Sequence, residues 1–429
     1  MKLDFRTYSY SSKKSTNLIL IFAGLALLSI AWFVGLKSKE FYFSYLTSYF
    51  FWLSIILGGM FFTFVHHAFS ATWSVAIRRI MENTIMLIPV FTILFLPIIT
   101  GMEILFKWLP NHSYWLDTTN ATYQAIYDYY VSLDNDAETA AKAASTAAFE
   151  ADHLIQHKLP FLNKEFFLQR ASGYFILWNI IAFYIYFTST KHDITAEHDA
   201  LKRLKNFTMS PMGVLLFTSI SFAGLDWLMS LDPHWYSTMY GVYTFAGSFL
   251  AFLGFLTFTL IRLQDQGYLK GIVSEEHYHD LGKYLFAFSV FYCYIAGAQF
   301  YFIWYSNIPE ETIWYLHRWE GSWKIISVLL IVGKFFIPFF ILIFRASKRN
   351  IRLLQVMSIW IIFMHYIDIN FIVMPTLHHH DFHIGIYDIS SMLGFAAIFI
   401  GSFRYIMSRT PLVPISDPEL IHSINHRNH

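Results

Sequence analysis

The chain has 429 residues, 56% hydrophobic, 20% aromatic and only 14% charged, with a formal net charge of +1. Soluble domains carry about a quarter charged residues, so this composition belongs in a lipid bilayer, and the small net charge argues against a nucleic-acid partner. A single cysteine, Cys293, and no Cys-x-x-Cys-His exclude an internal disulfide, an iron–sulfur cluster and covalently attached haem c on this chain.

A membrane span needs about 20 predominantly apolar residues. On that rule ten spans follow in order: 17–36, 46–69, 84–106, 166–189, 211–231, 241–262, 283–305, 322–344, 351–373 and 387–407. The first follows Lys13 and Lys14 and has no small-residue cleavage site behind it, so it reads as an anchor and not as a removed signal peptide. Pro89 and Pro97 interrupt the third span and Pro338 the eighth, and kinks there free carbonyls that can line a polar cavity.

Lysine and arginine set the orientation. Lys2, Arg6, Lys13 and Lys14, the pair Arg78-Arg79, and the 190–210 and 345–352 loops are basic, whereas 232–240 and 374–386 contain neither residue. Basic and non-basic connections alternate, as ten spans with both termini cytoplasmic require. Residues 107–165 then form a long outer-face insertion whose alanine-rich middle predicts a helix. Two readings of that helix stand: a solvated excursion, or a surface helix lying on the bilayer or on another protein. The tail from 408, cytoplasmic on this count, is a flexible or docking segment.

The most unusual window is Phe222 to Gly247, FAGLDWLMSLDPHWYSTMYGVYTFAG, where Asp226 lies inside an apolar helix just before the Asp232-Pro233 turn. Ionisable groups inside spans are costly and mark function by default. On the cytoplasmic side these are His66, His67 and Glu82. Glu103 and Asp226 are near outer ends, Lys334 is mid-span, and His365 and Asp368 share one face of span nine, with Gln299 and Asn370 at similar depth. The bland alternatives are headgroup-level placement for His66, His67 and Glu82, and snorkelling or a structural ion pair for Lys334.

His365 is about 20 Å along its helix from the side where His66 lies, so the two cannot ligate one haem. His378, His379, His380, Asp381 and His383 could form a local metal site, but a histidine run in a loop is weak support, and no metal is assigned. Trp52, Trp73, Trp227, Trp235, Trp304, Trp314, Trp319 and Trp323 are placed as an interfacial belt. Tyr301, Trp304 and Tyr305, with Asp232 and His234, are the candidate quinone pocket. No Walker A, nucleophile elbow or His-Glu-x-x-His motif is present, so the chain shows no catalytic residues of its own.

The segments DWLMSLDPHWYSTMYGVY and FYCYIAGAQFYFIWYSNIPEETIWYLHRWEG, with a weaker echo in residues 51–84, resemble the NrfD/PsrC-type integral membrane subunits, and within them the ActF-type subunit of bacterial alternative complex III. The resemblance covers nearly the whole chain. It implies an all-α membrane fold of two four-helix bundles, 46–231 and 241–373, flanked by 17–36 and 387–407. It further implies a multi-pass subunit of the bacterial inner membrane in a quinol-oxidising respiratory complex. Its partners would be an NrfD-like paralogue, an iron–sulfur subunit and c-type cytochrome subunits, so that haem c and iron–sulfur clusters reside elsewhere and menaquinol is the candidate ligand.

The expected role is therefore a transmembrane proton pathway through Asp226, His365, Asp368, Glu103 and Lys334, with His66, His67 and Glu82 as its inner entrance. The competing readings are an ion-coupled secondary transporter and a purely structural membrane anchor.

Overall fold

The computed structural model describes residues 8–116, 121–133, 136–197 and 199–427. The basic residues Lys2 and Arg6, and Asp134 and Asn135 at the start of the alanine-rich segment, lie outside the described residues. Among the described residues, ten helices are long and apolar enough to cross a membrane: Lys14–Gly35, Lys39–Phe69, Val75–Thr100, Lys164–Thr195, Met212–Leu231, Tyr240–Asp265, Glu275–Ser306, Trp323–Leu342, Ile351–Thr376 and Ile386–Met407. The chain is an all-helical, multi-pass membrane protein, and each helix overlaps one of the ten predicted spans.

The boundaries differ where polar residues are buried in protein instead of facing lipid. Span two starts at Lys39, where the Ser38 hydroxyl accepts the Phe41 N–H at 3.4 Å. Span three starts at Val75, so Arg78 and Arg79 are not loop residues but sit fully buried within it. Around Pro89 and Pro97 this span breaks into the short helices Arg78–Ile85, Ile88–Ile93 and Leu96–Thr100, because proline lacks an N–H and crowds the preceding turn. Two carbonyls left over there accept tyrosine hydroxyls from span two: Phe91 from Tyr49 at 2.9 Å and Leu94 from Tyr45 at 2.7 Å.

Spans two and six form the centre, each 83% buried over its most apolar stretch, whereas spans one, seven and eight are buried over only 22–28%. Span two packs on spans three, six, nine and ten, and span six on spans two, five, seven and nine. Glycine permits the central contact: a Cβ on Gly58 of span two would stand 2.5 Å from the Ser248 carbonyl of span six. Span one runs along span ten, where the backbones meet closely enough that a Cβ on Gly24 would lie 2.6 Å from the Gly394 carbonyl.

Connections alternate between two ends. At one, here the tail end, residues 411–426 are docked, not flexible: Leu412 N–H donates to Tyr8 O at 2.9 Å, Ser416 Oγ to Asp193 O at 2.9 Å and Ser423 Oγ to Trp73 O at 2.7 Å. At the other, the cap end, the helix Ala137–Ala151 buries Ala140, Ala144 and Ala148, an i, i+4 stripe, against its own chain. Lys158 Nζ donates to Pro233 O at 2.5 Å, tying the insertion to the turn after span five.

Four of the tryptophans placed in a belt, Trp227, Trp235, Trp314 and Trp323, are instead core residues. Stacking accounts for one pair, with Trp235 and Trp314 rings 4.6 Å apart. Trp304 and Trp319 are exposed.

The histidine-rich loop is held by its backbone. His380 O accepts Ser322 N–H at 3.0 Å, His378 O accepts Trp323 Nε1–H at 2.7 Å, and Phe382 N–H donates to Ser322 Oγ at 2.5 Å. This needs Gly321, whose φ is +50° and whose added Cβ would stand 1.8 Å from His380 O. Gly321→Ala is therefore expected to cost at least about 2 kcal/mol, read as a lower thermal midpoint with faster amide exchange in 374–386. Unchanged exchange there would refute the anchoring.

Candidate functional site

The polar centre of the molecule is built from five spans. Span nine presents His365 and Asp368 on one face, three residues apart. Span eight presents Lys334 from a π-helical turn, Ile331–Phe336, set just before Pro338. The wider turn accommodates the proline, and the Gly333 carbonyl accepts the Trp360 indole N–H at 2.7 Å. Lys334 Nζ donates to Asp368 Oδ2 at 2.5 Å and lies 3.7 Å from the centroid of the Tyr292 ring. Tyr243 of span six and Tyr292 of span seven both donate to Asp368 Oδ1, at 2.5 and 2.6 Å.

Lys334, His365 and Asp368 are each 1% exposed, so an unpaired charge there would be prohibitive. Three donors converge on one carboxylate, and the lysine supplies its counter-charge. His365 extends the cluster to span two. Ser54 donates its hydroxyl to Phe51 O at 2.7 Å, so its oxygen accepts His365 Nε2–H at 2.8 Å. That leaves His365 Nδ1 as a buried acceptor with no donor, 4.0 Å from Asp368 Oδ2. The arrangement thus gathers three donors on one carboxylate and leaves one imidazole nitrogen unpaired beside it among the described residues.

Toward the cap end the polar groups continue. Ser237 Oγ donates to Gln299 Oε1 at 2.9 Å, and Gln299 Nε2 donates to Tyr315 Oη at 3.0 Å. The buried Arg318, which the sequence pattern did not single out, donates to Phe371 O at 2.9 Å and Ile372 O at 2.8 Å, satisfying carbonyls at the end of span nine. Burial pulls its guanidinium down to about 10, against Tyr240 and Asp232, so it remains a cation at neutral pH.

Asp226 belongs to a separate, closed pair. Arg170 of span four grips it with two bonds, Nε to Oδ2 at 2.9 Å and Nη2 to Oδ1 at 3.0 Å, and Tyr174 donates to Oδ2 at 2.7 Å. Arg170 also donates to Phe161 O at 2.8 Å and stacks over Phe161. None of these contacts joins Asp226 to His365 or Asp368. The two pairs occupy corresponding places, cation on spans four and eight, acid on spans five and nine.

At the tail end, His67 and Glu82 do come together, at 3.3 Å between Nε2 and Oε1. Glu82 also accepts Arg79 Nη1–H at 2.6 Å and the Ser189 hydroxyl at 3.0 Å, with Arg78 Nε 3.2 Å away. Arg78 pairs with Asp417 and Arg79 with Asp193. His66 Nδ1 shares a hydrogen bond with Ser74 Oγ at 2.7 Å. These residues are buried within the protein. Ser54 and His66 are twelve residues apart on span two, about 18 Å, and Ile56, Leu57 and Met60 between them are fully apolar and buried.

The other expected residues stand apart. Glu103 is half exposed and faces Lys164 at 3.7 Å on the surface. Tyr301, Trp304 and Tyr305 are exposed on one face of span seven, where Tyr301 and Tyr305 stack with centroids 6.0 Å apart. They make no described contact with Asp232 or His234. His234 Nε2 instead pairs with Asp152 Oδ2 at 2.7 Å, so the five do not close into one pocket. A shallow groove runs beside Tyr301, lined by Cys293, Tyr294, Gly297, Ala298 and Phe302. Among the described residues, no group of three or more His, Cys, Asp or Glu is placed to hold a metal ion.

His112, near the start of the insertion after span three, gives a pH-dependent contact. Its Nε2 donates to Ile104 O at 3.0 Å and its Nδ1 accepts Tyr114 N–H at 2.9 Å, which requires the neutral ring. Burial lowers it to about 4, against the hydrogen bond to Ile104. The folded form therefore binds fewer protons than the unfolded one between pH 4 and about 6.5. Stability is present above pH 6.5 and lost as pH falls toward 4, on the order of 3 kcal/mol. Amide exchange of residues 105–116, corrected for its intrinsic pH dependence, is expected to accelerate from pH 7 to pH 5. Constant protection over that range would refute it.

A scan against protein-family models finds none that matches this chain, and a search of curated proteins finds none similar to it. The residues missed by sequence reasoning are mainly partners: Arg170, Tyr174, Tyr243, Tyr292, Arg318 and Asp417. Only Arg170 carried a signal, a cation one turn inside span four at the same depth as Asp226.

Proposed function

We propose that this chain is the proton-handling membrane subunit of a quinol-oxidising respiratory complex of the alternative complex III type, with haem c and iron–sulfur clusters on partner subunits. The observation that carries the proton role is the buried Lys334–Asp368 pair, with two tyrosine hydroxyls on the carboxylate and an open His365 acceptor beside it. Protonatable groups so desolvated are held near the point of exchange by each other's charge. Protons reach this centre from the cap end past Gln299, Tyr315 and Tyr240, and the tail-end cluster around Glu82 and His67 is the cytoplasmic entrance. The apolar stretch of span two between them separates two half-paths.

The respiratory setting is the implication of the sequence resemblance. The repeated acid–base pairs on spans four and five and on spans eight and nine support the two-bundle arrangement that goes with it. A menaquinol would meet this chain along the span-seven groove beside Tyr301, which carries no charged group. Purification in mild detergent tests the whole reading: iron–sulfur and cytochrome c chains should co-purify and give a haem spectrum. A stable, colourless, solitary protein would overturn it.

One observation favours an ion-coupled transporter instead, the π turn around a mid-span lysine, since interrupted helices near the midplane are where such proteins bind their ions. Solute binding by the isolated chain would decide for that reading.

A further inference from the structure

We propose that residues 411–426 are a built-in plug that closes the tail end of the helix bundle and supplies, through Asp417, the third carboxylate of a buried site holding one proton. The inference rests on the reading of the Glu82–His67 cluster as a proton entrance.

The closure is direct. Ser423 is fully buried, donates to Trp73 O at 2.7 Å and accepts Ala76 N–H at 3.0 Å, so it lies over the turn that leads into span three. Ser416 is bonded to Asp193 O, Leu412 to Tyr8 O, and His426 Nε2 to Asp280 Oδ2 at 2.7 Å on span seven. The segment therefore bridges span three, span four and span seven. Beneath it Ser74, Ala76, Arg79 and Glu82 are 0% exposed. A chain segment held through Leu412, Ser416, Asp417, Ser423 and His426 is part of the bundle's closure, not a loose end.

The proton follows from the charges. The groups facing His67 are Glu82, Arg78 and Arg79 from span three, Asp193 from span four, Asp417 from the plug and the neighbouring His66; Tyr186 of span four is close to Arg79 and Glu82 and to Arg409, which is exposed to solvent and outside the buried set. Three carboxylates stand against two guanidiniums, all buried, leaving one negative charge uncompensated. A buried net charge is costly. One proton, shared along the His67–Glu82 contact, neutralises the site. Without Asp417 the count is already balanced and no proton is called for. The plug thus does two things together: it shields the site from water and creates its demand for a proton. Loss of the plug both opens the site and empties it.

The test uses the full-length protein in mild detergent, with Cys293→Ser as background and Ala76→Cys as reporter. Maleimide should label Cys at 76 slowly when residues 411–429 are present and about tenfold faster when the chain ends at Thr410. The full-length double variant Asp417→Asn/Ser423→Ala guards against a truncation that fails to fold and should show a smaller acceleration. Equal rates in all three would overturn the plug. Infrared spectroscopy at pH 7 should detect an imidazolium band that is absent in both His67→Gln and Asp417→Asn. A neutral His67 in the parent, or a band that survives Asp417→Asn, would overturn the proton. Neither readout needs quinol or proton transport, so the respiratory reading can fail while both stand, and the reverse.

Discussion

On the proposed function, Lys334→Arg is expected to reduce proton movement coupled to quinol oxidation at least about tenfold while leaving complex assembly and thermal midpoint close to the parent. Arginine keeps the positive charge and can still pair with Asp368, but it does not release its proton in the working pH range. Only the exchange step is removed. The change separates a charge that holds the fold from one that titrates, because a structural ion pair tolerates either cation. Asp368→Asn is the companion: it should stop the same movement and also cost stability, since it leaves the lysine 1% exposed without a counter-charge. Proton counting in reconstituted vesicles reads both. Movement at the parental rate in Lys334→Arg would remove Lys334 from the pathway.

The second large effect lies at the other pair. Arg170→Met should lose about 3–5 kcal/mol, because Asp226, itself 1% exposed, would keep only the Tyr174 hydroxyl. Arg170→Met/Asp226→Leu should regain more than half of that loss, as replacing both members of a buried pair by apolar groups removes the stranded charge. Thermal unfolding of the two variants in one detergent gives the comparison. A single variant as stable as the parent, or a double variant no better than the single, would contradict the closed-pair description. The contrast between the pairs is chemical. Arginine locks Asp226 in place, whereas lysine leaves Asp368 a partner able to change its protonation state.

The span count and the His365/Asp368 face were legible in the sequence because both depend on local periodicity and apolar run length. What was not legible was which residues face one another across helices. Asp226 looked like an unpaired acid only because Arg170 lies 56 positions away on another span. Arg78 and Arg79 read as a loop because charge normally ends a span. They and Glu82 are inside one because Asp193, Asp417 and His67 come from three distant segments to satisfy them. The tryptophans misled for a related reason: indoles suit an interface and a stacked core equally well, and hydropathy alone does not choose between them.

The long contact between spans one and ten has a consequence for how the protein is made. The helix that span one packs along, Ile386–Met407, is synthesised long after Lys14–Gly35 itself. Until span ten is made, span one must therefore stand in the bilayer without its most extensive native contact. Its sequence meets that need: from Ser15 to Leu36 it contains no charged side chain, and only 22% of its apolar stretch is buried even at the end. Span two, by contrast, with its serines, threonines and histidines, can rest only among later helices. Assembly of this pair is thus a wait followed by a clasp, and a ribosome that stops short of Ile386 leaves span one with span two as its neighbour.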